Sequence, residues 1–453
     1  MNVFLKILLT NTFLICSITC IAQTPRNSSI PSSQFDIKVL IDSLTSSISK
    51  HYIFPEKGLE INKYLEEQYK KGVYEVVKDP NQLAYQLIVD IRKVNYDSHF
   101  NIFYQPKDLK LKENLKDREE NVKQQMAFEK ESNFKFKKLE ILPGNIGYMQ
   151  FNGFTGNIVG AKPTLTAAMV FLKNSKAIII DLRYNGGGNP EMVNQVESYF
   201  FKERVHVLDM LSTFSKDTMS LYTDPTSTDG LLLSMPIYIL TSKNTFSGAE
   251  DFSYAMQTLK RATVVGETTG GGAHPAMPFS IGQGFMARIP FARPINPITL
   301  KNWEGVGVIP DVSVAAKDAM VKAQKIIYYD LLTEAKTEKE KRIVQWAIND
   351  LIAKTNPPIL TILKSDQFTG TFNGGINFHV ENGSILCKNP ERGGTDIFKL
   401  QPVTENVFLL DENAQVEFVK DGKGKYSSIK MLWVDGNVTE KSREITSDTD
   451  KFH

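Results

Sequence analysis

The chain has few cysteines and almost no net charge, and each shortage excludes a class of function. Three of its 453 residues are cysteine, and lysine plus arginine number 53 against 51 for aspartate plus glutamate, a net charge of +2. A chain so balanced has no electrostatic footprint for nucleic acid or for an anionic membrane, so we expect neither as a partner. The N-terminal apolar run is short and interrupted by polar residues, and no later run approaches ~20 apolar residues, so we predict no transmembrane helix.

The first 22 residues have the pattern of a secretory signal peptide. MNVFLKILLTNTFLICSITCIAQ carries a lysine near its start, then an apolar run, then small residues at Cys20 and Ala22. This order predicts cleavage after Ala22 and an exported protein that is periplasmic, exposed on the outer surface or secreted. Only Cys387 would then remain in the mature chain, which excludes a disulfide framework and a cysteine-based metal site.

Several catalytic signatures are missing as well. The chain has no HExxH zinc motif and no nucleotide-binding loop that ends in GK[ST], and we predict neither a metal ion nor an organic cofactor. The GxSxG turn of α/β-hydrolases is absent around Ser247, because Thr245 and Ala249 occupy the positions of its glycines.

The remainder of the chain divides into five segments by its apolar spacing. In the first segment, 35–106, apolar residues recur every three or four residues, which predicts a helical domain. The second segment, 107–138, is dense in charges of both signs, which predicts an exposed helical linker or excursion. Short apolar runs alternate with helical stretches in the third, the pattern of an α/β core with a largely parallel sheet. A connecting helix follows, and beyond Pro357-Pro358 strand-like runs split by Gly and Asn turns predict a small antiparallel β domain. The predicted boundaries are 35–106, 107–138, 139–335, 336–356 and 357–453.

Three loops of the predicted core each follow a buried strand. The strands are predicted over 176–183, 236–241 and 262–266, and they are followed by NGGG, by TFSGAEDF and by ETTGGGAHP. Ligands of an open parallel sheet bind beyond the carboxyl ends of its strands. We therefore expect these loops to form the functional site.

The serine of TFSGAEDF has two interpretations. A serine just ahead of a helix is most often an N-cap. As a nucleophile, Ser247 would need a base to take its proton, a group to orient that base, and backbone donors for the oxyanion. His99 in DSHF is the first candidate base, because Asp97 and Ser98 flank it, and His274 in GGGAHP is the second, because its loop lies near the serine in the predicted strand order.

Five blocks in order favour the catalytic interpretation. DSHF (97–100), DLRYNGGG (181–188), TSKNTFSGAEDF (241–252), VVGETTGGGAHP (264–275) and NWEGVGVIPDV (302–312) together resemble the tail-specific, or C-terminal processing, serine peptidase family. The resemblance extends over residues 35–332 and is to the branch that includes the tricorn protease core and the modules of interphotoreceptor retinoid-binding protein. It implies an α/β fold with a crotonase-like ββα superhelix as the catalytic core.

The resemblance also implies a role for each candidate side chain. Ser247 would be the nucleophile, His99 the general base and then the general acid, Ser98 a relay, and Glu304 in NWEGVG the group that orients the relay. A lysine base is not expected, because Gly272 stands where the common form of the family carries that lysine.

An oxyanion hole is implied as well. Its donors would be the backbone N–H groups of Gly248 and of Gly187 in the NGGG turn, with Gly186 as the alternative to Gly187. Glycine suits the turn because it lets the main chain approach a substrate carbonyl closely.

The chain departs from many tail-specific proteases in two places. The stretch between residues 104 and 145 has too little strand-like sequence for a PDZ domain, and the segment beyond 357 resembles the lipocalin-like β domains appended to secreted bacterial hydrolases. The function expected is an exported serine peptidase that acts on peptides or proteins. The alternatives are an esterase that uses the same site and a non-catalytic protein that binds peptides or apolar ligands on the same scaffold.

Overall fold

The computed structural model describes residues 35–106, 115–359, 366–392 and 396–444. The predicted signal peptide lies outside the described residues, as does part of the predicted linker. Among the helices that are described, none is both long and apolar enough to cross a membrane. The described residues form two compact units, one within 1–140 and 147–319 and the other within 141–146 and 320–453.

Helices and strands alternate through the part of the chain that precedes residue 316. Its helices are α1 Ile37–His51, α2 Pro55–Lys70, α3 Pro80–Val94, α4 Leu115–Glu131, α5 Ile158–Leu172, α6 Pro190–Glu197 and α7 Gly248–Thr258. Its strands are β1 Asn101–Tyr104, β2 Phe136–Leu142, β3 Ile146–Phe151, β4 Ala177–Asp181, β5 His206–Ser212, β6 Ser215–Tyr222, β7 Ile237–Thr241, β8 Ala262–Gly266, β9 Ala276–Gly282, β10 Phe285–Pro290, β11 Ala292–Ile295 and β12 Val312–Ser313.

Helices α1, α2 and α3 share one hydrophobic core with an antiparallel sheet of order β1-β10-β9. The carboxylate of Asp36 caps α1 by accepting from the N–H of Val39 at 3.1 Å, as expected of an acidic N-cap. Apolar side chains of the helices face strands that come from residues 276–290, nearly 200 positions further along the chain. The helical segment predicted at the N-terminus is therefore completed by strands from the predicted core segment.

A six-stranded sheet holds the loops that the sequence singles out. Its order is β12-β8-β7-β4-β3-β2, and β4, β7, β8 and β12 run parallel to one another. Strands β4 and β7 are buried along their whole length, because parallel strands are covered on both faces. The strand predicted over 262–266 is confirmed as β8 with the same bounds.

Antiparallel pairing extends beyond the predicted parallel core. The sheet β11-β5-β6 forms from residues 206–222 and 292–295. In the sheet β1-β10-β9, Ile102 lies opposite Ala287 and Asn101 lies opposite Arg288. Side chains alternate between the two faces of a strand, so Ala287 enters the helical core while Arg288 lies on the other face.

The predicted charged linker contains α4 and ends in the strand β2. The carboxylate of Glu129, near the end of α4, accepts from the hydroxyl of Thr155 at 2.7 Å, and both residues are buried. This bond anchors the helix beside the loop that follows β3. The described residues between 104 and 145 contain one strand, far fewer than a PDZ domain requires.

The second unit combines two helices with two antiparallel sheets. Aromatic side chains fill its interior, for example the rings of Phe368 and Phe418 with centroids 4.8 Å apart. Beyond residue 357 the described residues form antiparallel sheets of order β13-β14-β15-β16 and β17-β18-β19-β20-β21. The elements are α8 Ala319–Glu334, α9 Glu338–Thr355, β13 Gly370–Phe372, β14 Ile376–Glu381, β15 Ser384–Lys388, β16 Ile397–Lys399, β17 Gln401–Pro402, β18 Val407–Leu409, β19 Ala414–Lys420, β20 Tyr426–Trp433 and β21 Val438–Ser442.

Candidate active site

Ser247 lies where the loop after β7 enters α7. Its backbone adopts φ 54° and ψ −121°, a region that residues other than glycine rarely occupy and that is associated with strain at functional sites. Ser247 and Glu250, three residues further on, have the arrangement of a capping box at the start of the helix. The Oγ of Ser247 also lies 3.3 Å from Nε2 of His99. The residue has the position of an N-cap, but its hydroxyl is directed at a histidine.

One buried carboxylate, that of Glu250, fixes the turn that carries Ser247. Oε2 accepts from the N–H groups of Ser247 and Gly272, both at 2.8 Å. Oε1 accepts from the N–H of Gly271 at 2.6 Å and from the hydroxyl of Thr269 at 2.5 Å. Burial raises the pKa of Glu250, and these four donors oppose the rise. The serine turn and the 269–272 loop are thereby held together by a single side chain.

His99 lies two residues before β1 and is 7% exposed. Its N–H donates to Oδ1 of Asp97 at 3.1 Å, and its ring stacks on that of Phe246 with centroids 4.9 Å apart. Burial, and after it the charge of Arg288, lowers the pKa of His99 to about 3. The imidazole is therefore neutral at pH 7, which is the state that a general base requires.

The space beside the His99 ring admits only glycine at position 272. A Cβ on Gly272 would lie 2.9 Å from Cε1 of His99 and 2.1 Å from Cζ of Phe246. A lysine at this position would collide with both rings.

Ser98 and Glu304 meet although 206 positions separate them. Oε1 of Glu304 accepts from the hydroxyl of Ser98 at 3.1 Å and from its N–H at 3.2 Å. The Ser98 hydroxyl also lies 3.4 Å from the carbonyl oxygen of Gly271. Nδ1 of His99 has no hydrogen-bond partner within the described parts of the chain. The structure thus brings Ser247, His99, Ser98 and Glu304 together, with the Ser98–His99 contact not closed.

His274, the second candidate base, has other partners. Its Nδ1 lies 2.7 Å from Oδ2 of Asp97 and 3.5 Å from Oε2 of Glu304, so it packs behind Ser98 and His99 rather than against Ser247. Asp97, His274 and Glu304 each place a ligating atom within 4.8 Å of the others, as a metal site would require. The 2.7 Å contact between His274 and Asp97 is a hydrogen bond. Oε2 of Glu304 also accepts from the N–H of Ala273 at 2.5 Å. The arrangement positions Glu304 by hydrogen bonds.

The NGGG turn abuts the start of α7. A Cβ on Gly187 would lie 2.6 Å from the nitrogen of Gly248, so only glycine permits this approach. The N–H of Gly187, however, donates to Oδ1 of Asn185 at 2.8 Å. The expectation that this N–H serves an oxyanion hole therefore differs from the structure, because the side chain of Asn185 already occupies it.

Some contributors to the site escape prediction. The S-x-x-E spacing of Ser247 and Glu250 is a capping-box signal, and it could have indicated the Glu250 contact to the serine turn. Nothing in the local pattern indicates that Asn185 holds the glycine turn, or that Arg288 lies near His99.

Two family models match successive parts of the chain. That of peptidase family S41 matches residues 145–314. That of the N-terminal domain of S41 peptidase in eukaryotic interphotoreceptor retinoid-binding protein matches residues 26–139. Together they include every residue of the site described above.

Individual proteins resemble the chain more distantly. The carboxyl-terminal-processing peptidase 2 of Arabidopsis thaliana chloroplasts is 29% identical over 180 residues, which are 38% of this chain and 33% of that protein. The chain thus matches about a third of the length of that curated relative. The photosystem II D1 C-terminal processing protease aligns with 63% of this chain and 94% of its own at 15% identity and a TM-score of 0.43. The tricorn protease aligns with 63% of this chain and 35% of its own, at 14% identity and a TM-score of 0.39.

Proposed function

The chain belongs to the S41 family of serine-type peptidases, and from that premise we propose that it is an exported peptidase that forms an acyl-enzyme on Ser247. The observation that carries the proposal is the distance of 3.3 Å between Oγ of Ser247 and Nε2 of a buried, neutral His99. Catalytic hydrogen bonds are often this long in the absence of substrate. The strained backbone of Ser247 supports the same role, because an N-cap needs no such strain.

The reaction divides into two acyl transfers. Oγ of Ser247 attacks the carbonyl carbon of the scissile peptide while its proton passes to Nε2 of His99, and the carbonyl oxygen becomes an oxyanion. Nε2 then returns the proton to the leaving nitrogen as the C–N bond breaks. Water attacks the resulting ester with His99 again as base, the bond from carbon to Oγ breaks, and the proton returns to Ser247.

Ser98 and Glu304 complete a tetrad in this proposal. An imidazolium on His99 would carry a hydrogen on Nδ1, the atom that has no partner among the described residues. The Ser98 hydroxyl already donates to Glu304, so its lone pairs are available to accept from that hydrogen after rotation about its Cα–Cβ bond. The negative charge of Glu304 then stabilises the positive charge on His99 through the serine.

The oxyanion hole is assigned to the N–H groups of Gly248 and Gly188. Gly248 is the first residue of α7, where N–H groups lack acceptors within the helix. The carbonyl of Gly187 accepts from the N–H of Phe154 at 2.9 Å, and in a trans peptide the N–H of Gly188 points the opposite way. The Gly188 nitrogen lies 3.1 Å from where a Cβ on Gly248 would stand, so the two N–H groups are neighbours.

The finer architecture belongs to the same proposal. Parallel strands β4, β7 and β8 with intervening helices are compatible with a crotonase-like ββα core between a helical N-terminal domain and a β domain at the C-terminus. Export rests on the signal pattern of residues 1–22, and N-terminal sequencing of the mature protein tests it.

Replacement of the nucleophile tests the function. We expect Ser247→Ala to lower the hydrolysis of a fluorescent casein by at least about 10³-fold, because it removes the oxygen that forms the acyl-enzyme. Ser253→Ala is the matched control, since the hydroxyl of this buried serine of the same helix donates to the carbonyl of Ala249 at 2.7 Å. It should stay within about threefold of the unmodified enzyme.

Hydrolysis by folded Ser247→Ala protein at the original rate would refute the assignment. Binding of peptides without any turnover by the unmodified protein would favour the non-catalytic alternative. Comparison of a peptide amide with the matching ester separates peptidase from esterase, since only the latter would turn over the ester alone.

A further inference from the structure

A partly buried cation beside the site has no partner in the described structure. Arg288 is half-buried in β10, and burial lowers the pKa of its guanidinium. No hydrogen bond or ion pair joins it to another described residue. Other buried arginines of the same unit are paired: Arg183 donates to Asp181 at 2.6 Å, and Arg261 donates to the carbonyl of Phe200 at 2.9 Å. The guanidinium of half-buried Arg288 is thus left available to a ligand that carries a carboxylate.

The register of the sheet places Arg288 next to the catalytic segments. It lies opposite Asn101 of β1, two residues after His99, and opposite Pro278 of β9, four residues after His274. Its positive charge also lowers the pKa of His99, so the guanidinium is near enough to interact with the base. The segment that follows His99 and the segment that follows His274 therefore both pair with β10 at Arg288.

The face around Arg288 can receive a peptide. Alternation in β10 directs Phe285, Ala287 and Ile289 into the helical core, and leaves Met286 and Arg288 on the opposite face. The neighbours on that face, Phe103 opposite Met286 and Pro278 opposite Arg288, are half-buried. This face therefore combines apolar side chains with the exposed polar residues Asn101 and Ser280 and with the cation Arg288.

We propose that Arg288 binds a carboxylate of the substrate and thereby selects peptides that carry a negative charge close to the scissile bond. The proposal rests on the peptidase function proposed above. A guanidinium engages a carboxylate through two parallel hydrogen bonds, a geometry that an ammonium cannot reproduce. The carboxylate has two possible sources, the C-terminus of the peptide and an aspartate or glutamate side chain.

Binding to the full-length Ser247→Ala protein tests the proposal without turnover. The probes are heptapeptides rich in leucine and alanine with an uncharged dansyl label at the N-terminus: one with a free C-terminal carboxylate, its C-terminal amide, and two amidated forms with an internal glutamate or glutamine. We expect Arg288→Met to weaken binding of a carboxylate peptide by about 10- to 100-fold and to leave its neutral counterpart within about threefold. Arg204→Met, which removes an exposed arginine stacked on Tyr222, is the control and should change neither.

The two peptide pairs identify the source of the carboxylate. A loss confined to the free C-terminus assigns Arg288 to the end of the chain, and a loss confined to the glutamate peptide assigns it to a side chain; either result supports the proposal. Equal losses for charged and neutral peptides, or no loss for any, would overturn it. Should Arg288→Met fail to fold, Arg288→Lys gives the same readout, with about a threefold to tenfold loss expected for carboxylate peptides only.

These experiments distinguish failure of the carboxylate-binding proposal from failure of the proposed peptidase function. Charge-selective binding that depends on Arg288, in a protein that hydrolyses no peptide, would support this proposal and contradict the catalytic one. Hydrolysis that depends on Ser247, but does not change with Arg288 or with the peptide carboxylate, would support the catalytic proposal and contradict this one.

Discussion

Replacement of Glu250 by glutamine should both destabilise the protein and disable it. The carboxylate receives four donors, two on each oxygen. Glutamine can offer only one acceptor oxygen, so one backbone N–H at least, that of Gly271, must face the new NH₂ group even in the better orientation. Loss of a hydrogen bond to a charged group is worth about 1.5–3 kcal/mol, and an unsatisfied buried donor adds a similar penalty. We therefore expect the free energy of unfolding to fall by about 2–4 kcal/mol, a large share of the ~5–15 kcal/mol typical of a domain.

The catalytic loss should be larger than the loss of stability alone would give. Glu250 joins the Ser247 N–H to the Gly272 loop that packs on His99, so its weakening separates nucleophile and base. A misplacement of about 1 Å at such a pair costs on the order of 10²-fold in rate. Urea unfolding and kcat on a peptide substrate measure the two effects. Glu267→Gln, on the same loop, is the matched control because, within the described residues, its side chain accepts a single long contact of 3.4 Å from the N–H of Lys243. Unchanged unfolding and kcat in Glu250→Gln would refute the reasoning.

Four further predictions concern the base and its surroundings. Because the pKa of His99 is held near 3, against an ordinary value of ~6.5, the acid limb of kcat/KM should fall below pH 5; a limb near 6.5 in the pH–rate profile would contradict this. The same depressed pKa means that the contribution of His99 to stability is present above about pH 6.5 and is lost as the pH falls toward 3, which acid titration of unfolding measures. Gly272→Ala places a Cβ 2.1 Å from Cζ of Phe246, so kcat should fall by about 10²-fold with the fold retained by circular dichroism. Glu304→Gln removes the charge behind Ser98 and should lower kcat by about 10- to 100-fold with little change in KM; a change in KM alone would indicate a binding role.

The elements around the nucleophile follow from local sequence. Residues 262–266 are an apolar, β-branched run bounded by polar residues and glycine, and they form β8 with the predicted bounds. The glycine turn, the serine and the 269–272 loop gather at one edge because parallel strands end there. Strands β9 and β10 carry prolines and an arginine on one face. Proline is unfavourable in a strand, so the sequence does not predict these two strands.

The side-chain contacts of the site depend on long-range packing, so they are harder to predict from the sequence. His99 meets Ser247 across 148 positions and Ser98 meets Glu304 across 206, and only the order of five motifs suggested these pairs. Competition for backbone N–H groups has no sequence signature, so the sequence favours Gly187 as an oxyanion donor although Asn185 holds its N–H. Arg288 could not be singled out, because its significance is the lack of a partner among the described residues in the folded protein.

Labelling with a fluorophosphonate, followed by mass spectrometry of the adduct, tests the central claim most directly. If Ser247 is activated by His99, one equivalent of probe should bond to Oγ of Ser247, and peptide hydrolysis should be lost in proportion to labelling. His99→Ala should slow the labelling strongly, and Ser253→Ala should leave it unchanged. A folded, hydrolytically active protein that carries the probe on another residue, or that keeps its activity when Ser247 is fully labelled, would contradict the claim.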